Sequence, residues 1–236
     1  MLQIDVENWS FWSPESSDPS LWLKHWQRPG AEPGEDALRV DLIPAMQRRR
    51  MSRLAKMALS TALEVVADQR IDYSVFGSQH GEIVRTLGIL DAIGTHTEIS
   101  PAAFAQSVHN TSSGLFTIIA ASHAPSMSIA SGANTFAYAW LEAQAYIALN
   151  PKHRVLLVDF DEALPGVFQA YSTGTVSDHS VALLLRAAQS DGISLSHLAD
   201  AGNEHLPQGP RFLAWLESGA PDLSMAADGQ GWRWVR

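Results

Sequence analysis

Residues 126–135 read Ser126-Met127-Ser128-Ile129-Ala130-Ser131-Gly132-Ala133-Asn134-Thr135, and an alanine-rich run continues to Leu149. Ser126–Ala130 alternates polar and apolar side chains, the two-residue period of a strand. Ala133–Leu149 reads as a helix. Asn150-Pro151 stops it, because the residue before a proline is pushed out of the helical region. Arg154–Phe160 follows, and its Val155-Leu156-Leu157-Val158 core suits a fully buried strand. Strand, helix and strand in succession argue for a layered α/β domain.

The same alternation extends in both directions. Upstream, Leu2–Phe11 suits a strand, and Ser13–Asp36 a loop holding one short helix at Leu21–Trp26. Trp9, Trp12, Trp22 and Trp26 are read as a small satellite core over one end of the domain. Pro44–Asp68 is the clearest helix: Pro44 suits a first helical position, and Leu54, Met57, Ala58, Ala62, Val65 and Val66 recur at three- and four-residue spacing. Arg48, Arg49, Arg50 and Arg53 crowd its start, where the helix dipole prefers acids. A local rule broken in this way points to a basic patch for an acidic partner, against the plainer reading of a solvated face.

Asp72–Gly77 is a short buried strand, ending in Gly77-Ser78-Gln79-His80-Gly81 before a helix at Glu82–Ile93. Strand, glycine loop and helix can cradle a phosphate, but no GxGxxG or GxxxxGK[ST] is present. Close backbone packing is the reading for these glycines. Ser100–Asn110 and Ser112–Ala121 are two further helices. Downstream, Val181–Arg186 and Ile193–Leu198 are strands and Pro210–Glu217 a short helix, while Leu223–Arg236 has no assigned place. The expectation is a single domain over 1–236, with a core at 40–200 and a C-terminal helix and tail at 201–236.

Composition narrows the function. The 236 residues carry a net charge of −9, which disfavours binding to a nucleic-acid backbone. There is no cysteine, so disulfides, thiolate metal sites and thiol nucleophiles are excluded. His179, His197 and His205 lack the usual metal-ligand spacing, and no metal or other cofactor is expected. No apolar run reaches the length of a membrane span. Met1–Ser10 has acids and no basic region, unlike a secretory signal. A cytoplasmic location is the expectation.

Several segments together resemble the N-terminal half of a β-ketoacyl synthase, of the thiolase-like family. These are Pro44–Ser52, Ser100-Pro101 to Asn110 with Gly114, Ala124–Ala130, and Val155–Asp161 with Glu162. The resemblance implies a thiolase-like, layered α/β domain with a mixed sheet. It places Ala133 where the family keeps its nucleophilic cysteine, and a methyl group cannot form a thioester. The family's catalytic histidine segments have no counterpart after Val181. A ketosynthase relative without its nucleophile resembles the chain length factors of type II polyketide and aryl polyene biosynthesis. The implied function is a non-catalytic accessory subunit that pairs with an active β-ketoacyl synthase and helps shape the acyl or polyene tunnel.

The resemblance also assigns surfaces. Ser126, Met127, Ser128, Ile129 and Ala130 match the strand through which the family pairs edge to edge. Val108, His109, Thr111, Ser112, Leu115 and Phe116 match helices that reach the partner's tunnel, with Val108 and Phe116 as candidates for its floor and His109 as a hydrogen-bonded structural histidine. Arg48, Arg49, Arg50 and Arg53 would meet an acyl carrier protein. Two other readings stand beside this one. One is a homodimeric module binding acyl groups or acyl carrier protein. The other is a serine hydrolase or acyltransferase using Ser128 or Ser131, although no Gly-x-Ser-x-Gly elbow is present.

Overall fold

Alternate residues of the buried strands serve two different cores. Val155 and Leu157 point to one side of the sheet, with Val181, Leu183 and Leu185; Leu156 and Val158 point to the other, with Ala182 and Leu184. This is the two-residue pleat period, applied to strands covered on both faces. The computed structural model describes residues 2–28, 34–67, 69–171, 177–199, 202, 204 and 206–236.

The described elements are, in order, β1 (Ile4–Trp12), α1 (Pro19–Trp26), α2 (Ala45–Arg48), α3 (Arg53–Val66), β2 (Tyr73–Gly77), α4 (Ile83–Gly94), α5 (Pro101–Ala105), α6 (Thr111–Ile119), β3 (Ser126–Ile129), α7 (Thr135–Leu149), β4 (Val155–Asp161), a 3-10 turn (Gly166–Tyr171), β5 (His179–Ala187), β6 (Ser194–Leu198), α8 (Gln208–Ser218), β7 (Asp222–Ala227) and β8 (Gln230–Val235). The main sheet runs β1-β5-β4-β2-β3. Its β4-β2-β3 half is parallel, and β5 and β1 are added antiparallel, so the sheet is mixed. Helix α3 covers the face that holds Leu156 and Phe160. Helix α7 covers the face that holds Val75 and Leu157.

The helix expected over Pro44–Asp68 is broken. Pro44 opens the short α2, and Ser52 restarts the chain as N-cap of α3, its hydroxyl accepting the Ala55 N–H. Asp68 lies outside the described residues. The break takes Arg49 and Arg50 out of the start of the long helix, while Arg53 remains at the first position of α3 and pairs there with Asp178. Ser100–Asn110 is likewise shorter, helical only through Ala105.

The C-terminal segment is more than a helix and tail. β6, β8 and β7 form a second, antiparallel sheet. Asp228 and Gly229, with φ of 48° and 75°, make the tight turn between β7 and β8, as an Asp-Gly pair between apolar stretches favours. Phe212, Trp215, Met225, Trp232 and Trp234 join the same cluster as Ile4, Val75 and Leu157, so the core extends well beyond 40–200. The tryptophans at the other end are not a satellite: Trp22 is fully buried in that main cluster, edge-on to Phe11.

Helix α7 lies between the two sheets. Thr135 and Ala139 approach Gly77 of β2 so closely that a β-carbon there would lie 3.0 Å from the Thr135 methyl. On its other side, Phe136 and Trp140 meet Phe212 with ring centroids 5.2 and 4.9 Å apart. Phe212 has no exposed surface. Phe212→Ala is therefore expected to lower unfolding stability by about 3–5 kcal/mol, read as a lower denaturant midpoint at unchanged m-value.

Candidate functional site

The head of α7 is where the main sheet's β3, the second sheet and α8 come together. Gly132, with φ of 55°, turns the chain from β3 toward the helix. Ala133 precedes the helix rather than starting it, and its N–H donates to the Asp228 carboxylate at 3.3 Å. Asn134, 2% exposed, is fully engaged. Its amide donates to the Ala227 carbonyl at 3.0 Å, and its carbonyl oxygen accepts the Trp232 indole N–H at 2.8 Å and the Gln208 amide at 3.4 Å. Gln208 in turn accepts the Ala137 N–H at 3.2 Å. Sequence reading missed these contacts because they come from residues 71 to 98 positions away in the chain.

The loop after β2 holds a carboxyl group, but one from the same chain, which burial pushes up. Asp161 accepts hydrogen bonds from the Ser78 hydroxyl at 2.8 Å, the Gln79 N–H at 2.9 Å and the His80 N–H at 3.2 Å. The donors that could have cradled a phosphate are thus committed to a carboxyl group. Gly81 has φ of 54°, and a β-carbon there would come within 2.8 Å of the His109 ring, so glycine is required for close packing. His109 itself bonds the Ser78 carbonyl through Nε2 at 2.8 Å.

Buried charge gathers beside this loop. His179, 3% exposed, donates from Nδ1 to the Ser177 carbonyl at 2.8 Å and turns Nε2 to Asp159 at 3.5 Å. Burial alone pushes its imidazole down, but Asp159, the charge of Asp161 and the Ser177 carbonyl outweigh that and raise it. A β-carbon at Gly209 would overlap the Asp159 carboxylate, so α8 can start there only with glycine. Glu162 is pushed up to about 7, first by burial and then by the charge of Asp178, with Glu82 and Asp161 adding and Arg53 opposing. Arg53 pairs with Asp178 and lies over the Trp12 ring. Glu82 accepts from Ser52 at 2.7 Å and Arg85 at 3.4 Å, and burial raises its carboxyl.

The residues singled out from sequence separate into inward and outward groups. Thr111, Ser112 and Phe116 are buried, and Leu115 packs half-buried on the α3 side. Phe116 has no exposed surface and lies 5.6 Å from the Phe76 ring. It packs in this chain's own core. Val108 is 51% exposed. Strand β3 is the outer strand of the main sheet, bonded to β2 alone among the described strands. Ser126, Met127 and Ala130 are exposed, while Ser128 and Ile129 are half-buried. The Ser128 hydroxyl meets the Ser113 hydroxyl at 3.3 Å, and among the described residues no imidazole is bonded to it. The arginine patch is divided: Arg48 bonds the Val40 carbonyl and Arg53 is paired, while Arg49 and Arg50 border one surface depression with Met46. His197 stacks edge-on against Trp232, and His205 lies outside the described residues. Among the described residues no group of three metal-binding side chains occurs, and no helix is long and apolar enough to cross a membrane.

A mixed sheet whose outer parallel strand leads through a glycine turn into a helix held between two sheets is the layout of a thiolase-like domain. The sequence model of the β-ketoacyl synthase N-terminal domain matches residues 22–235, and the chain belongs to that family. Among solved structures, a chain from the complex of the ketosynthase ApeO with its chain length factor ApeC, from Xenorhabdus doucetiae, is similar at 29% identity. Its TM-score is 0.86, with 100% of both chains covered. The ishigamide ketosynthase/chain length factor is similar in fold at 16% identity and a TM-score of 0.63, over 84% of this chain and 68% of that one. A β-ketoacyl synthase from Burkholderia phymatum is similar in fold at 15% identity and a TM-score of 0.61, over 80% of this chain and 60% of that one. No curated protein matches.

The buried acids carry a pH dependence. A carboxyl whose pKa is higher in the folded chain binds its proton preferentially there, so stability falls as pH rises through that window. For Glu162 the window runs from an ordinary ~4.3 to about 7. His179, also raised, acts in the same sense: its contribution is complete below the ordinary imidazole value of ~6.5 and is lost as pH climbs through the folded value. The melting temperature is expected to fall between about pH 5 and 8, and Glu162→Gln to reduce that fall. A fall of unchanged size in the variant contradicts the assignment to Glu162.

Proposed function

We propose that this chain is a non-catalytic, chain-length-factor-like subunit that pairs with a cysteine-bearing β-ketoacyl synthase and contributes to the wall of its acyl or polyene tunnel. The observation that carries the reading is Ala133 at the head of α7, one glycine turn beyond an outer strand whose far edge is open. With a methyl group there, no side chain can take an acyl group. An open, uncharged edge without proline suits pairing with another strand.

The surface around β3 supports a partner. Met127 on the strand, Ile118 on α6, Val108 just before it and Phe104 on α5 are 43%, 70%, 51% and 66% exposed. Helix α4 buries no residue completely, and its Val84, Leu90 and Ile93 are large apolar side chains left in solvent. Large uncovered apolar surface marks a protein interface. The reading is supported by similarity to a chain from a complex that joins the ketosynthase ApeO with its chain length factor ApeC. Val108, exposed on this side, is the residue assigned to the tunnel. Arg49, Arg50 and Met46 offer an apolar-basic surface for the acyl carrier protein.

Co-expression with ketosynthases from the same gene neighbourhood, followed by affinity purification, tests the pairing. One of them is expected to co-purify at equal stoichiometry. Failure with all of them removes the reading and favours a homodimeric module. In the reconstituted pair, Val108→Trp is expected to shorten the products while initiation continues, since bulk added to a packed channel costs about 1–3 kcal/mol. Products of unchanged length remove Val108 from the tunnel.

A further inference from the structure

The contact between Ala133 and Asp228 is held in place from several directions. Asp228 is the tip of the β7–β8 turn. Asn134 holds the carbonyl of the preceding Ala227 at 3.0 Å. Tyr138, one turn further along α7, donates from its hydroxyl to Gln230, the residue after the turn, at 3.0 Å. Trp232, two residues on, donates to Asn134 at 2.8 Å. The same Asp228 oxygen that accepts the Ala133 N–H lies 3.0 Å from where a β-carbon on Gly132 would sit. The turn is thus fastened against the peptide that leads into α7, with its carboxylate aimed at the free donor.

Unpaired N–H groups and the dipole make a helix N-terminus attractive to negative charge. An oxyanion or polarised carbonyl placed there gains from both. Here an aspartate of the same chain sits at the entrance to that N-terminus, on the N–H of Ala133, one residue before the cap Asn134.

We propose that the β7–β8 turn is a built-in stopper, in which Asp228 occupies the donor at Ala133 and bars acyl carbonyl and carboxylate groups from the head of α7. The proposal rests on the reading that Ala133 stands at the former nucleophile position. The carboxylate blocks in two ways. It satisfies the hydrogen bond an acyl oxygen would need, and its charge repels any anion approaching the same point. The acyl chain is thereby confined to the partner's side of the pair. A cysteine restored at 133 would meet a negative charge rather than a positive potential, which disfavours its thiolate.

The absence of cysteine makes this measurable. Ala133→Cys supplies a single thiol, and Asp228→Asn keeps the side-chain shape while removing its charge. At pH 7, iodoacetamide is expected to alkylate Ala133→Cys at least ~3-fold more slowly than the double variant, since a thiol pKa about one unit higher cuts the thiolate about tenfold while its greater nucleophilicity restores part of the rate. Lys152→Cys, exposed beyond the far end of α7, is the control and is expected to react equally with and without Asp228→Asn. Equal rates at position 133 in both backgrounds overturn the proposal. Amide hydrogen exchange on the unaltered chain reads the same contact without any substitution. The Ala133 N–H is expected to exchange at least ~10-fold more slowly than in an unstructured peptide, and exchange at the peptide rate overturns the proposal. Neither measurement involves a ketosynthase. Failure of the stopper therefore leaves the pairing standing, and failure of pairing leaves these rates unchanged.

Discussion

Helix α7 must be covered on two faces, and the arrangement of the other elements follows from that need. Its Thr135 and Ala139 press on Gly77 of the main sheet. Its Phe136 and Trp140, essentially buried, require a second apolar wall. At roughly 1.5–3 kcal/mol per large side chain removed from water, leaving that wall off would cost several kcal/mol, a large share of a domain's net stability. Helix α8 and the β6-β8-β7 sheet supply the wall through Phe212 and Trp234. The C-terminal segment is therefore part of the fold's foundation.

Covering a helix end also covers its polar head, and the chain answers each polar group in turn. Asn134 bridges the small sheet and α8, Gln208 takes the Ala137 N–H, and Asp228 takes the Ala133 N–H. Nearby, Asp161 ties down the loop after β2. Two places where a ligand anion could have docked, the glycine loop and the helix head, hold carboxyl groups of the protein itself.

The strands were legible because their side-chain period and unbroken apolar runs leave few alternatives. Val155–Val158 and Val181–Leu185 could scarcely be anything but buried strands, and they set the sheet. Two features escaped for physical reasons. The break between α2 and α3 depends on Ser52 capping a new helix, a local event masked by apolar spacing that continues across it. The β7–β8 hairpin carried its own signal, the Asp228-Gly229 pair between alternating apolar residues, but tryptophans and glycines around it gave no pattern of helix. In the sequence the site was legible only through a resemblance that puts Ala133 where the family keeps its cysteine. Its closure by Asp228 joins residues 95 positions apart, which spacing within one segment does not reveal. Phe116 and Val108 were equivalent by resemblance. Burial separated them, turning one into this chain's core and leaving the other on the surface.

The open edge of β3 and the apolar residues of α4, α5 and α6 are among the surfaces that the chain itself leaves uncovered. Amide hydrogen exchange, measured on the chain alone and with a ketosynthase that co-purifies with it, addresses that surface most directly. Slowed exchange at Ser126–Ile129 on pairing, with no slowing at the exposed Lys152-His153 turn, is the predicted result. Exchange at β3 that is the same with and without the partner would contradict pairing through this edge.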